Sequence, residues 1–254
     1  VARIAGSGTT AFAAAALAAT PLATTPPALA AGFDGSVALT SDYVYQGLSR
    51  TCGGPAVQAD AQVGTPLAPR EAFAGVWGSV GLGSGYCRRA REFNLYAGER
   101  LAIGTSQSLT LTYVHYAFPG GIYLYERLGG RRFDYDELGG TWAFQDRIYL
   151  TAAWTPNAIG YRNHEAVRER TAVSFGAQLH QPIRDWLTFS VGVGYDEVSD
   201  LTGAGYAFWD AGVARPIGPI ELDVSYFRTS PRAERLFGPE IAGGRVAATA
   251  VWRF

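Results

Sequence analysis

The sequence predicts an all-β chain, a transmembrane antiparallel up-and-down β-barrel of about twelve strands with both termini on the periplasmic side. Three observations predict it. The segment Arg245–Phe254 is apolar at every second position (Val246, Ala248, Ala250, Trp252, Phe254), which is the period of a strand with one greasy face. Period-two segments of this kind recur from Gly32 onward, separated by turn clusters. The connections between them alternate short and long, as in membrane barrels with turns on one side and loops on the other. An aromatic strand end with an unpaired edge is a liability that a closed barrel abolishes.

Taken in order, residues 1–30 read as a signal peptide. Arg3 supplies a positive region, Ala11 to Ala19 are small and mostly apolar, and Ala28-Leu29-Ala30 has the small-x-small form of a cleavage site. A disordered Ala/Pro/Thr linker is the other reading. Residues 31–254 form a single barrel domain, with strands expected at Ser36–Gln46, Ala56–Gly64, Ala72–Gly81, Glu92–Leu101, Ser108–Phe118, Arg132–Ala143, Ile148–Trp154, Thr171–His180, Leu187–Tyr195, Tyr206–Arg215, Ile220–Phe227 and Arg245–Phe254. Long connections are expected at Gly47–Pro55, Leu82–Arg91, Pro119–Arg131, Thr155–Arg170 and Arg228–Gly244. After the N-terminal region no run of about 20 apolar residues occurs, so any crossing of a membrane is by strands.

Parity assigns the faces. Val57, Ala59, Ala61 and Val63 oppose Gln58, Asp60 and Gln62, and Leu109, Leu111 and Tyr113 oppose Thr110 and Thr112. Ile220, Leu222, Val224 and Tyr226 likewise oppose Glu221, Asp223 and Ser225. On the first strand Val37, Leu39, Tyr43 and Tyr45 are expected outward and Thr40, Asp42 and Gln46 inward. Lipid outside and water inside require this pattern. Tyr43, Tyr45, Tyr113, Trp154, Tyr195, Tyr206 and Tyr226 then form one interfacial belt, and Phe73, Trp252 and Phe254 the other. A soluble sandwich or lipocalin-like barrel would reverse the faces.

The run Leu39-Thr40-Ser41-Asp42-Tyr43-Val44-Tyr45-Gln46-Gly47-Leu48-Ser49-Arg50-Thr51, with Gly54-Pro55-Ala56-Val57-Gln58 after it, resembles the opening of the TorF-type porin family of proteobacteria, which usually reads T-S-D-Y-V-Y-R-G-x-S-Q-T and then G-P-A-x-Q. Asn94–Gly98, Phe118–Gly120 and Asp134–Glu137 resemble its D-L-Y-A-G, Y-P-G and D-Y-x-E segments. The resemblance implies an outer-membrane barrel and a pore, with no established substrate. Gln46 stands where Arg is usual, and Arg50 where Gln is usual.

Candidate site residues follow. Asp42, Gln46, Asp60, Glu92, Arg100, Glu137 and Asp223 are expected in the lumen, either as a constriction that selects solutes or as a salt-bridged filling. Arg88, Arg89, Arg131, Arg132, Arg168 and Arg170 are candidates for lipopolysaccharide phosphates or anion steering, set against a plain solvated-loop reading. Cys52 and Cys87 fall in loops on one side and suggest a disulfide in an exported protein, two free thiols being the other reading. Trp252 and Phe254 are expected to be the assembly signal read by the barrel assembly machinery.

The net charge of −1 gives no basic excess for nucleic acid. No metal-ligand spacing or phosphate-binding glycine motif is present, so no cofactor is expected. A lipid-modifying enzyme would need a nucleophile beside a lipid-facing histidine, and position 117, two residues after His115, is Ala. His164 and His180 have no adjacent Ser with an orienting carboxylate. The expected function is passive diffusion of small polar or charged solutes across the outer membrane of a Gram-negative bacterium. A non-conducting scaffold that binds a partner or lipopolysaccharide through its loops is the alternative.

Overall fold

The computed structural model describes residues 32–67, 69–84, 90–119, 134–162 and 165–254. The expected signal peptide therefore lies outside the described residues. So do Cys87, Arg88, Arg89, Arg131, Arg132 and His164.

The chain runs β1 (Gly32–Thr40), a small hairpin of β2 (Val44–Tyr45) and β3 (Leu48–Ser49), then β4 (Ala56–Leu67), β5 (Arg70–Gly81), β6 (Arg91–Ile103), β7 (Gln107–Ala117) and β8 (Tyr135–Phe144). It continues with β9 (Ile148–Arg162), β10 (Glu165–Arg184), β11 (Leu187–Glu197), α1 (Ser199–Thr202), β12 (Tyr206–Ile217), β13 (Ile220–Thr229), α2 (Pro231–Phe237), α3 (Pro239–Ala242) and β14 (Arg245–Arg253). Among the described residues twelve strands, all but β2 and β3, close into one antiparallel barrel, each paired with its neighbour in sequence. β14 closes the ring on β1 with Val37 opposite Trp252 and Thr40 opposite Thr249. Gly35 and Phe254 exchange both backbone hydrogen bonds, at 2.9 and 3.0 Å, so the last residue is part of the seam.

The wall alternates as a lipid-facing barrel requires. Val57, Val63, Leu95, Leu111, Leu138, Val193, Leu222, Val224 and Val246 are exposed on the outside, while Gln58, Asn94, Ser190, Asp210, Asp223 and Ser225 are buried within. Tyr113, Trp154, Tyr195 and Tyr226 stay exposed toward the long-loop rim, and Phe33, Trp186, Trp252 and Phe254 toward the short-turn rim. Tight turns join the strands at the short-turn rim, for example Gln145–Asp146 between β8 and β9, both at positive φ.

Four expectations are corrected. The first strand ends at Thr40 instead of continuing to Gln46, and the chain then turns inward, so Tyr43 and Tyr45 are buried and not in the outer belt. Tyr206 and Phe73 also point into the barrel, where each ring finds an apolar neighbour: Tyr206 packs with Phe208, and Phe73 with Tyr96. Thr155–Arg170 is not a long loop but the continuation of β9 and β10, which run on beyond their neighbours. Pro156 is tolerated there because it sits at a register shift, where β9 uses three steps from Thr155 to Ala158 against two on β10 from Ala172 to Arg170. Finally, the connections after β11 and β13 carry the short helices α1, α2 and α3.

These helices lie at the long-loop rim. Val198, Leu201, Ala233 and Ala242 pack with Ala158, Tyr206 and Phe208 into the largest apolar cluster, which closes part of that mouth. Thr229 donates its hydroxyl to Ala242 O at 2.7 Å, fastening α3 to the end of β13.

Candidate functional site: a hairpin across the lumen

The segment that follows β1 folds into the barrel. Its strands β2 and β3 form a separate two-stranded sheet, with Tyr45 opposite Leu48 and Gln46-Gly47 as the two-residue turn. Gln46 and Gly47 have φ of 49° and 76°, the pair of positive values that a type I′ hairpin turn demands. The hairpin touches several walls at once. Val44 packs on Phe227 and Ala247, Tyr43 lies 5.5 Å from the Trp77 ring, and Leu48 joins the Tyr206–Phe208 cluster.

Its base is pinned by Asp42, which is 5% exposed. One carboxylate oxygen, Oδ1, takes the Ser49 hydroxyl, with Thr51 Oγ1 at 3.0 Å; the other, Oδ2, accepts from Arg245 Nη1 at 3.0 Å. Arg245 in turn donates to the carbonyls of Gly243 and Glu240, each at 3.1 Å, so one guanidinium links the hairpin to the α3 segment. Thr51 Oγ1 also accepts the Tyr43 N–H at 3.0 Å. Asp42 was expected to be a lumen charge; it is inside, but it serves as the anchor of the hairpin and is neutralised by Arg245.

Arg50 carries the charge that the hairpin brings into the lumen. Its guanidinium carbon sits 4.9 Å over the centre of the Tyr45 ring. Burial opposes its charge, yet Tyr135, Glu92, Tyr43 and Tyr45 around it more than offset this and raise its pKa above the ordinary arginine value. Glu92 is held by the Tyr43 hydroxyl at 3.1 Å and the Asn94 amide at 2.9 Å. Burial, and then the Glu92 charge, push the Tyr43 hydroxyl well above its usual range, so it remains a donor. Arg50 was absent from the expected site residues. Its signal was the exchange with Gln46 in the family-like run.

The other expected lumen residues are inside the barrel but do not form one cluster. Asp60 accepts from Tyr96 Oη at 2.9 Å, and Asp223 from Ser225 at 2.8 Å. Arg100 lies 3.7 Å from Asp146 near the short-turn rim. Glu137 is 4% exposed and accepts from the Tyr116 and Thr155 hydroxyls at 3.2 and 3.5 Å. Gln46 and Glu137 border the same recess beneath the hairpin tip, a partly open cavity of about 50 Å³.

The arginine candidates are placed less fully. Arg170 is exposed on β10, and Arg168 lies on the same strand. No described cysteine is free. On the outer wall His115 Nδ1 lies 2.8 Å from Asp136 Oδ1, which also accepts from the Tyr113 hydroxyl at 2.6 Å; the register shift in β9 turns Asn157 outward to donate to Asp136 Oδ2 at 2.8 Å. His115 is thus a satisfied polar residue of the outer rim. Among the described residues no group of His, Cys, Asp and Glu has the arrangement of a metal site.

Among solved structures, the barrel is similar to one described as "Unveiling the Mechanism Behind the in-meso Crystallization of Membrane Proteins", with a TM-score of 0.56 and 12% identity over 87% of this chain and 83% of that one. It also matches Salmonella typhi OmpF in complex with daunomycin (TM-score 0.45, 10% identity, 88% and 97% covered) and a Pseudomonas aeruginosa FadL homologue (TM-score 0.43, 13% identity, 78% and 66% covered). At such identities the likeness is one of fold alone. No curated protein matches the chain in sequence. Residues 24–250 match the family described as "Bacterial protein of unknown function (Gcw_chp)", and the chain belongs to that family.

Proposed function

We propose that the protein is an outer-membrane channel of the TorF-type porin kind, through which small polar or charged solutes diffuse passively, without catalysis or cofactor. In this reading the short-turn rim and both termini face the periplasm and the long loops face outward. The observation that supports it best is the pairing of an apolar outer wall with a charged lumen crossed by a hairpin that belongs to a separate sheet. Because side chains and not wall hydrogen bonds seat β2 and β3, the hairpin can narrow the passage without being part of the wall.

Selection follows from charge. Among the described residues Asp34, Asp42, Asp60, Glu71, Glu92, Glu137, Asp196, Asp210, Glu221 and Asp223 point inward, against Arg50, Arg100, Arg245 and Arg253. The lumen therefore favours cations and neutral polar solutes over anions. The arginines Arg88, Arg89, Arg131, Arg132, Arg168 and Arg170 contact lipopolysaccharide at the outer surface, and a Cys52–Cys87 bridge ties the first two long loops. Trp252 and Phe254 are read by the assembly machinery during insertion.

A non-conducting scaffold is the second reading, favoured by the rings and helices that fill the long-loop half. Single-channel recording in planar bilayers, with solute-swelling assays on proteoliposomes, separates the two. The channel reading expects discrete conductance with a cation-favouring reversal potential. Purified, folded protein that never conducts refutes it.

A further inference from the structure

The inner wall of β11, β12 and β13 carries two carboxylates that no cation answers. Asp223 is 6% exposed and Asp210 is buried beside it, and among the described residues neither forms an ion pair. The charges that act on Asp223 are those of Glu221 and Asp210, both negative. Its Oδ1 accepts from Ser225 Oγ at 2.8 Å, whereas its Oδ2 is buried without a hydrogen-bond partner. A carboxylate oxygen taken out of water in this way is costly unless a counter-ion or a further donor reaches it.

A second group points to the same place from a neighbouring strand. Ser190 on β11 lies opposite Gly212 on β12, and Gly212 lies opposite Ser225 on β13. Ser190 is 2% exposed, and its Oγ also has no hydrogen-bond partner. Between the two serines Gly212 leaves a notch in the wall, since a Cβ on it would run into Ser225 Oγ. Ser225 has already given its proton to Asp223, so its remaining lone pairs are those of an acceptor. Carboxylate and hydroxyl oxygens are hard donors, suited to hard cations and not to soft metals. The register then sets the charge of the ion. Asp223 pairs with Ala214 and Asp210 with Phe227, four residues along both strands, or about 13 Å. One ion cannot be ligated by both, so an ion at the notch meets a single carboxylate.

We infer that the notch at Gly212 is a site for a partly dehydrated monovalent cation, held by Asp223 Oδ2 and the Ser190 and Ser225 hydroxyls. Asp210 is the next station toward the hairpin, because its partner Phe227 is the ring on which Val44 packs. A bare ion needs no wide cavity, and a single carboxylate lets it leave again, as conduction requires. The inference rests on the channel reading and locates the place in the lumen where the cation pauses.

Thallium(I), which has the charge and nearly the size of potassium, is the probe. Its position is read by anomalous diffraction from crystals of the full chain, and its affinity by thallium NMR on the detergent-solubilised protein at neutral pH. A thallium ion lies at the notch in contact with Asp223, Ser190 and Ser225. Asp223→Asn weakens its binding about tenfold or more, as loss of a charged ligand requires. Gly212→Ala weakens it as well, although no charge changes, because the added methyl displaces Ser225 Oγ; it serves if Asp223→Asn does not fold. Four results overturn the inference: no thallium at the notch, affinity unchanged in both variants, calcium displacing thallium more readily than potassium does, or an infrared band of a protonated carboxyl that Asp223→Asn removes. Neither diffraction nor NMR needs conductance. A silent barrel that holds thallium at the notch removes the channel and keeps the site, whereas a conducting barrel without it removes only the site.

Discussion

Replacing Gly47 by Ala tests whether the hairpin is the obstruction in the lumen. Gly47 has φ of +76°, and a Cβ on it would lie 2.7 Å from Thr229 Cγ2 and 2.8 Å from Phe208 Cβ. Thr229 is fully buried, and Phe208 Cβ is fixed to the wall, so neither yields cheaply. The left-handed conformation costs an L-residue about 1–2 kcal/mol. Overpacking adds about 1–3 kcal/mol. Together these shift the balance between seated and displaced hairpin toward the displaced state by about 30-fold to about 4,000-fold, at a factor of ten for each 1.4 kcal/mol. The barrel ladder is untouched, so heat-modifiable migration on gels is unchanged. Two readouts report the displacement: the mean single-channel conductance rises, and trypsin cleaves after Arg50, a bond that the seated hairpin shields. Gly53→Ala is the control, since Gly53 has φ of +71° but nothing within 4 Å of its added Cβ. It carries the conformational cost without the clash and so gives the smaller effect. Wild-type conductance and wild-type resistance to trypsin in Gly47→Ala would refute the reasoning.

The remaining predictions address the anchor, the seam and the loops. Asp42→Asn and Arg245→Ala each break a largely buried pair, at a cost of about 3–5 kcal/mol; both expose Arg50 to trypsin, and the double variant is less than additive, whereas full additivity would show that the two act separately. Deleting Phe254 removes two backbone hydrogen bonds to Gly35 and the ring packed against Trp252 at 4.9 Å; heat-modifiable barrel in the outer membrane falls sharply, and normal levels would contradict the role given to the last residue. Alkylation of denatured, unreduced protein labels no thiol if Cys52 and Cys87 are bridged, and two labels per chain would end that proposal.

The wall was legible because one rule governs it. Strands such as β4, β7 and β13 meet lipid on one face and the lumen on the other, so period two alone sorts Val57 from Gln58 and Leu222 from Asp223. The rule fails where the chain leaves the wall. Across Ser41 and Asp42 the alternation continues in sequence, and Tyr43 and Tyr45 therefore read as belt residues. The contrary signal was local: Gln46-Gly47 between Tyr45 and Leu48 is a two-residue hairpin turn. Phe73 and Tyr206 misled for another reason. An aromatic at a strand end reads as interfacial, yet these two rings have inward parity and are buried against Tyr96 and Phe208. Thr155–Arg170 read as a long connection, and only the pairing register reveals the shift that accommodates Pro156 within β9.

The difference between wall and hairpin also explains where the family resemblance is concentrated. An outward wall residue needs only to be apolar, and an inward one only to be small or polar, so many sequences build the same β4 or β13. Hairpin residues have individual partners. Asp42 requires Ser49 and Arg245, Thr51 must accept from the Tyr43 amide, and Gly47 has neither the conformation nor the space for a side chain. Gln46 holds the first positive-φ position of the turn, at 49°. The Arg50 guanidinium lies over the Tyr45 ring and within the field of Glu92, so it too has individual partners. The hairpin's partners therefore constrain its sequence position by position, whereas the wall constrains only the alternation of its faces.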